Sequence, residues 1–332
     1  MKRFGKALLA LGLAFAALSP AHALDVRIAQ QYGISYLPLT IMREQNLLQA
    51  HGKQLGVDIT PKWLSFTGGA PMNEALISNN LDFASGGVAP MLIIWDRTRS
   101  NLGVKAVASL NAMPLYLNTT DANVHTVKDF TAKDRIALPG ARVSIQAIIL
   151  QMAAVQAFGP DGANKLDGLT VSMSHPDGYA ALTNGTAGIT GHFTSAPYMY
   201  QELARPNVHR VLSSYDVLGG PHTFNVVWAT QRFATANPKV MTAFTDALTE
   251  AMAFIAQHPK EAAQIWIADE KSSLSLADAE KMIRDPENEW TLTPRKIGVF
   301  GAFMAKEGLL KQAPAAWTDV FFPASVAGLQ GD

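Results

Sequence analysis

The sequence predicts an α/β protein of two similar lobes, each with a mainly parallel central sheet, joined by two crossover strands. Three observations predict it: an internal repeat, a regular alternation of strand-like and helix-like runs, and a long helical stretch at the C-terminal side. Arg27-Ile28-Ala29, a glycine at 33 and a helix-like run from Pro38 are echoed 108 residues later by Arg135-Ile136-Ala137, Gly140 and a helix-like run from Ser144. Ala75 to Ala84, leading to Pro90, is matched by Ala181 to Thr190, leading to Pro197, at an offset of 106. Two matches in the same order, each a strand, loop and helix, indicate a duplicated unit. Facing lobes make a cleft, and clefts of this kind bind small molecules.

The chain starts with Lys2, Arg3 and Lys6, a dozen apolar residues from Ala7 to Leu18, and Ala21-His22-Ala23. A basic start, an apolar core and a small-x-small end make an export signal over residues 1–23, too short for a membrane anchor, which needs about 20 apolar residues. There is no cysteine, which excludes disulfides, thiolate metal sites, cysteine nucleophiles and a lipidated N-terminus. Without the signal, 24 basic residues stand against 27 acidic, a balance that gives no footprint for nucleic acid or anionic lipid. A periplasmic protein, not lipidated, is expected.

In the first lobe Val26 to Gln30 reads as a strand, followed by a loop through Tyr32 and Tyr36 and a helix opening at Pro38, where a missing N–H does no harm. Val57 to Leu64 reads as a second strand; Thr67-Gly68-Gly69 then feeds a helix. Leu81 to Ala84 is a third strand, with Ser85-Gly86-Gly87 as the loop before a helix near Pro90. Strands alternating with helices at this spacing argue for parallel sheets whose ligand sites lie beyond the carboxyl ends of the strands. Val104 to Leu110 is a fourth strand, and Asn111 to Leu117 the first crossover.

The second lobe repeats the order: a strand at Arg135 to Leu138, a helix from Ser144 to Phe158 closed by Gly159, a strand at Leu169 to Met173, a helix from Gly178 to Asn184, a strand at Ala187 to Thr190 and a helix from Pro197. The return crossover is Val217 to Trp228. Beyond Pro238, Met241, Phe244, Leu248, Met252 and Ile255 recur at helical spacing, a core-facing stripe rather than a cofactor box. The first lobe is therefore read as 24–113 with 222–332, and the second as 114–221.

The candidate site is the set of loops at helix starts: Tyr32, Ser35 and Tyr36; Thr67, Gly68 and Gly69; Gly86 and Gly87; Ser144 and Gln146; and His192, Phe193 and Thr194. Free N–H groups and the positive ends of helix dipoles hold an oxyanion there without a full positive charge, and the aromatics cover an apolar remainder. The alternative is that Thr67 and Ser144 merely cap helices and the glycines serve turn geometry. The 106-residue offset puts His192 near the place of Gly86, so a hydrogen bond to ligand is its expected role, a structural one the alternative. Arg142 could pair with an anion; Asn111, Met113 and His222 sit on the crossovers, where ligand contact would couple binding to closure.

Enzyme motifs are missing: no G-x-S-x-G, H-E-x-x-H, P-loop or G-x-G-x-x-G occurs. The eight histidines are scattered singly, without metal-ligand spacing. No catalytic residue, metal or cofactor is expected.

The chain resembles the solute-binding proteins of ABC importers of the nitrate, sulfonate and taurine group. The resemblance rests on Gln31-Tyr32-Gly33 after the first strand, Gly69 to Leu76 with Asn80-Leu81-Asp82-Phe83, Val127-Lys128-Asp129-Phe130 to Ile136-Ala137, Asn225 to Thr230 with Asn237-Pro238, and Trp290 to Gly308. It implies a type II periplasmic-binding-protein fold, a ligand between the lobes, a monomer, and docking of the closed form on an inner-membrane ABC permease. A sulfonate such as taurine or an alkanesulfonate is the first expectation. An aromatic carboxylate, nitrate or a pyrimidine precursor stays open, as do a periplasmic sensor subunit and an enzyme on the same fold.

Overall fold

The computed structural model describes residues 23–332, so the export signal read at 1–23 falls, but for Ala23, outside the described residues. Strand β1 (Leu24–Gln30) leads to α1 (Leu37–Glu44), α2 (Leu47–Gln54), β2 (Ile59–Ser65), α3 (Gly69–Ile77), β3 (Ala84–Gly87), α4 (Val88–Thr98) and β4 (Lys105–Ser109). Then follow β5 (Tyr116–Thr119), β6 (Ile136–Leu138), α5 (Ile145–Phe158), β7 (Thr170–Ser172), α6 (His175–Asn184), β8 (Gly191–Thr194), α7 (Tyr198–Leu203), β9 (His209–Ser213) and α8 (Ser214–Leu218). The chain ends with β10 (Asn225–Ala229), α9 (Gln231–Ala236), α10 (Pro238–Gln257), α11 (Pro259–Glu270), α12 (Leu276–Ile283) and α13 (Ile297–Lys306).

In the first lobe β1 runs parallel to β2 and, through Ile28, makes a parallel bridge to Phe83, the residue before β3, while β10 lies antiparallel between β3 and β4. In the second the order is β7-β6-β8-β5-β9, with β6 parallel to β7 and β8, and β5 antiparallel to β8 and β9. Each parallel core thus receives one antiparallel strand, the one the chain forms on arriving from the other lobe. The connecting segments pair with each other: Ala112 bridges Thr223, and Phe224 N–H donates to the Asn111 carbonyl at 3.1 Å.

The duplication is visible in single hydrogen bonds. The amides of Asp82 and Phe83 both donate to the Arg27 carbonyl at 3.0 Å, and those of Thr190 and Gly191, each 108 positions on, both donate to the Arg135 carbonyl at 3.0 Å. The parallel bridge Ile28–Phe83 has its counterpart in Ile136–Gly191. By these bonds the extra residues of the second lobe precede β8. Thr194, rather than His192, therefore stands where Gly86 does, and the offset of 106 read from the sequence slips by two residues here.

Strand β3 lies three residues later than expected, over the Ser85-Gly86-Gly87 segment read as loop. A Cβ on Gly86 would stand 2.8 Å from Gln31 Nε2 and 3.3 Å from the Trp228 ring, so close packing rather than a turn explains glycine at that position. Likewise β8 begins at Gly191, after the Ala187 to Thr190 run. The C-terminal stripe is core as expected: Phe244, Leu248, Met252 and Ile255 of α10 are buried, and Phe244 stacks on Phe83 at 4.2 Å. Helices α10 and α11 pack on α1, and α13 on α4, all in the first lobe.

Candidate ligand-binding cleft

Five helix starts meet at one cleft between the lobes. Tyr36 precedes α1, Gly69 opens α3, Gly87 precedes α4, Ser144 caps α5 and His175 opens α6. They surround a narrow cavity of about 30 Å3 that opens partly to solvent, with Gln31 and Gln146 between them and Pro90, Pro139, Val143, Ile145 and Phe224 as apolar walls. The amides of Gly69, Ala70, Ile145 and Gln146 donate to no acceptor among the described residues. Ser144 Oγ accepts from Ala147 N–H at 3.2 Å, which fixes the α5 start. Such first-turn amides, with the helix dipoles behind them, favour an anion.

The side chains at the cleft are neutral. Gln146 Nε2 donates to His175 Nε2 at 3.3 Å, so His175 carries its proton on Nδ1 and donates it to Thr194 Oγ1 at 2.9 Å. Burial, and then His192 nearby, push the His175 pKa well below the ordinary imidazole value, which keeps it uncharged. Burial pushes the Tyr36 phenol up, and its hydroxyl donates to Asn225 Oδ1 at 3.4 Å. The Gln31 side chain has no hydrogen-bond partner among the described residues. No Asp, Glu, Lys or Arg lines the cleft.

The lobes approach at bare backbone. A Cβ on Gly87 would lie 2.7 Å from Ile145 Cγ2 and 2.9 Å from Ile145 Cβ, one on Gly68 would lie 2.9 Å from the Pro139 carbonyl oxygen, and one on Gly33 would lie 3.0 Å from that of Ala196. Three of the loop glycines thus permit the halves to close on each other. Gly33 also has φ +113°, a conformation L side chains rarely adopt.

Of the residues singled out in the sequence, Tyr36, Gly69, Gly87, Ser144 and Gln146 line this cleft, with Gly68 capping α3 at its edge. Thr67 is exposed and faces a neighbouring depression with Ser174 and Asp177. Tyr32 is half-buried outside the lining. Asn111 lies on the first crossover and Ser35, in the turn before α1, is bonded to both crossovers: Asn111 Nδ2 donates to the Ser35 carbonyl at 2.6 Å, and Asn225 Nδ2 to Ser35 Oγ at 3.0 Å. Gly86 lies in β3 against Trp228. His192 is fully buried with Nδ1 2.5 Å from Glu202 Oε1, and Phe193 is a fully buried core residue; neither lines the cleft, because the two-residue slip moves both inward along β8. Arg142 turns to Asp167 at 3.2 Å with its side chain 70% exposed. Met113 is core, and His222 is buried between Thr223 O and Ser214 Oγ.

Gln31, Pro139, Phe224 and His175 were missed. For His175 the sequence carried a signal: Ser174-His175-Pro176-Asp177 is a capping serine, a proline in the first turn and an acid at the third position. The observed cap bond, Asp177 N–H to Ser174 Oγ at 3.3 Å, starts α6 three residues before the expected Gly178. Among the described residues no group of three or more His, Asp or Glu is placed to hold a metal ion, and no helix is long and apolar enough to cross a membrane.

The sequence matches the model of the NMT1-like family over residues 23–268. Among curated proteins no match is found. In structure the chain is similar to the alkanesulfonate-binding protein SsuA from Xanthomonas axonopodis pv. citri bound to MOPS, with TM-score 0.69 and 16% identity, covering 95% of this chain and 100% of that one. It is also similar to the periplasmic aliphatic sulphonate binding protein SsuA from Escherichia coli (TM-score 0.66, 16% identity, 89% and 98% covered). A third is the periplasmic nitrate-binding protein NrtA from Synechocystis PCC 6803 (0.68, 15%, 93% and 86%). The family match spans well over half the chain and the likeness in structure runs through both lobes, so the chain belongs to the NMT1-like family and has the two-lobed periplasmic-binding-protein fold.

Proposed function

We propose that this chain is the periplasmic substrate-binding component of an ABC importer and captures a small organic anion between its lobes. It leaves the cytoplasm through the signal at residues 1–23, and residues 24–113 with 222–332 form one clamp half, residues 114–221 the other. The observation that carries the reading is the convergence of five helix starts, from both lobes, on one cleft whose lining bears no charge. Donors from both halves reach the same molecule only when the lobes are together, so ligand favours the closed state by its differential affinity. The closed form then docks on an inner-membrane permease as a monomer. No chemical step on the ligand is involved. A sulfonate comes first among candidate head groups because two structural neighbours are sulfonate-binding proteins; nitrate and aromatic carboxylates follow.

A thermal-shift panel of sulfonates, nitrate, aromatic carboxylates and pyrimidines tests it. A ligand at a hundred times its dissociation constant adds about 2.7 kcal/mol, and for a chain of this size roughly 2 °C or more of midpoint per kcal/mol. A panel without any shift, or turnover of a member, would overturn the reading.

A further inference from the structure

We propose that the cleft selects organic anions that carry no ammonium group, and that Gln31 and Gln146, one from each lobe, set this preference. The inference rests on the reading of the cleft as an organic-anion site. An anionic head group is served by the free amides at the starts of α3 and α5. An ammonium elsewhere on the same ligand would need a carboxylate or a dense set of acceptors, because an unpaired charge taken out of water costs several kcal/mol.

The lining supplies neither. Its walls are proline, valine, isoleucine and aromatic carbon, and its polar side chains are Tyr36, Ser144, Gln31, Gln146 and His175. Ser144 Oγ is taken up by the α5 cap, and Tyr36 turns its hydroxyl to Asn225. His175 spends its acceptor nitrogen on Gln146 and its N–H on Thr194. That leaves as side-chain acceptors toward the ligand the carboxamide oxygens of Gln31 and Gln146 and the remaining lone pairs of the Tyr36 and Ser144 hydroxyls, all neutral, enough for a hydroxyl or an N–H but not for a full positive charge.

The nearby carboxylates are engaged elsewhere. Asp177 holds Ser174 Oγ at 2.5 Å beside the separate depression at Thr67, and Glu202 is clamped between His192 and Asn118 at 2.5 and 2.9 Å. Glu270 lies near the Gly33 amide, outside the lining. None lines the cleft.

Matched probes differing by one ammonium test the proposal by calorimetry on the purified protein: propane-1-sulfonate against 3-aminopropane-1-sulfonate, butanoate against 4-aminobutanoate, and benzoate against 4-(aminomethyl)benzoate. In whichever pair binds, the ammonium-free member is expected to bind roughly tenfold tighter or more. Gln31→Glu and Gln146→Glu each place a carboxylate in the lining and should shift that ratio toward the zwitterion by about tenfold, whereas Gln31→Leu and Gln146→Leu should not. Equal or tighter binding of the zwitterion by the unaltered protein overturns this inference and leaves the anion-capture reading standing. Well-folded Glu variants with an unchanged ratio overturn the assignment to the two glutamines. Failure of every member of every pair to bind overturns the anion-capture reading and this inference with it.

Discussion

The Tyr36 hydroxyl lies 3.4 Å from Asn225 Oδ1, which places the wall of the cleft one hydrogen bond from the crossover that carries the chain back to the first lobe. Asn225 is itself held on three further sides. Its N–H donates to Asn111 Oδ1 at 3.2 Å, its Nδ2 to Ser35 Oγ at 3.0 Å, and its carbonyl accepts from Leu110 N–H at 2.8 Å. Both crossovers and one cleft-lining residue therefore meet at a single buried asparagine, through its backbone and its side chain.

Asn225→Ala is expected to cost about 1–3 kcal/mol of stability, because the Tyr36 hydroxyl and Ser35 Oγ lose their partner in a buried place. Tyr36→Phe, which removes the donor but keeps the ring, should cost about 1 kcal/mol or less. Urea denaturation measures both, and the double variant should cost less than the sum of the two, since each substitution alone breaks the same bond. Full additivity would show that the bond contributes nothing.

Gly87→Ala separates closure from folding. The added methyl meets Ile145 of the other lobe at 2.7 Å, so it opposes the closed arrangement. We expect ligand affinity to fall by roughly tenfold or more, from overpacking that costs about 1–3 kcal/mol, with the thermal midpoint of the unliganded protein little changed. Ile145→Ala in the same chain removes Cγ2, the nearer opposing atom, but keeps Cβ at 2.9 Å, so it should restore part of the binding. Calorimetry on the single and double variants decides it.

Much of this architecture was legible because it is written in local pattern. Strand-to-helix turns announce themselves by glycine, serine and proline, and so Tyr36, Gly69, Gly87, Ser144 and Gln146 could be placed at the cleft. What local pattern does not carry is which side chain of a turn faces the partner lobe. Gln31 and Pro139 each directly follow a strand and Phe224 belongs to a crossover; they meet because two lobes fold over one another. His192 shows the complementary error. An insertion of two residues before β8 is invisible as letters, yet it moves a presumed rim residue into a buried pairing with Glu202.

His222 makes stability depend on pH in mildly acid conditions. It donates from Nδ1 to the Thr223 carbonyl at 2.9 Å and pairs through Nε2 with Ser214 Oγ at 2.8 Å, and its complete burial favours the neutral ring. Burial pushes its pKa down to about 4, against roughly 6.5 in the unfolded chain. Between those values the unfolded chain binds the extra proton and the folded one does not. Stability is therefore full above pH 6.5 and declines as pH falls toward 4, by a total on the order of 3 kcal/mol. Denaturation midpoints at pH 7, 5.5 and 4.5 should fall in that order. His222→Gln, which can still donate and accept, should flatten part of the decline; an unchanged slope would rule His222 out as its source.

The two lobes solve one backbone problem with different side chains, and exchanging them is informative. Asp82 Oδ2 accepts the Arg27 N–H at 2.8 Å and its Nε at 2.9 Å, while Oδ1 accepts from the guanidinium at 2.8 Å. At the equivalent place Thr190 Oγ1 accepts the Arg135 N–H at 3.3 Å, and the Arg135 side chain turns to the carbonyls of Ala132 and Asp134. Asp82→Ala leaves a backbone N–H and a partly buried guanidinium without their acceptor, a loss of about 2–4 kcal/mol when bonds to a charged group are counted. Asp82→Thr copies the second lobe: it gives back the backbone acceptor but not the ion pair, so it should recover about 1 kcal/mol of that loss. Chemical denaturation of the three proteins resolves the order. If threonine recovered nothing over alanine, the bond to the Arg27 N–H would be a bystander, and the ion pair alone would hold the first lobe's strand-to-strand junction.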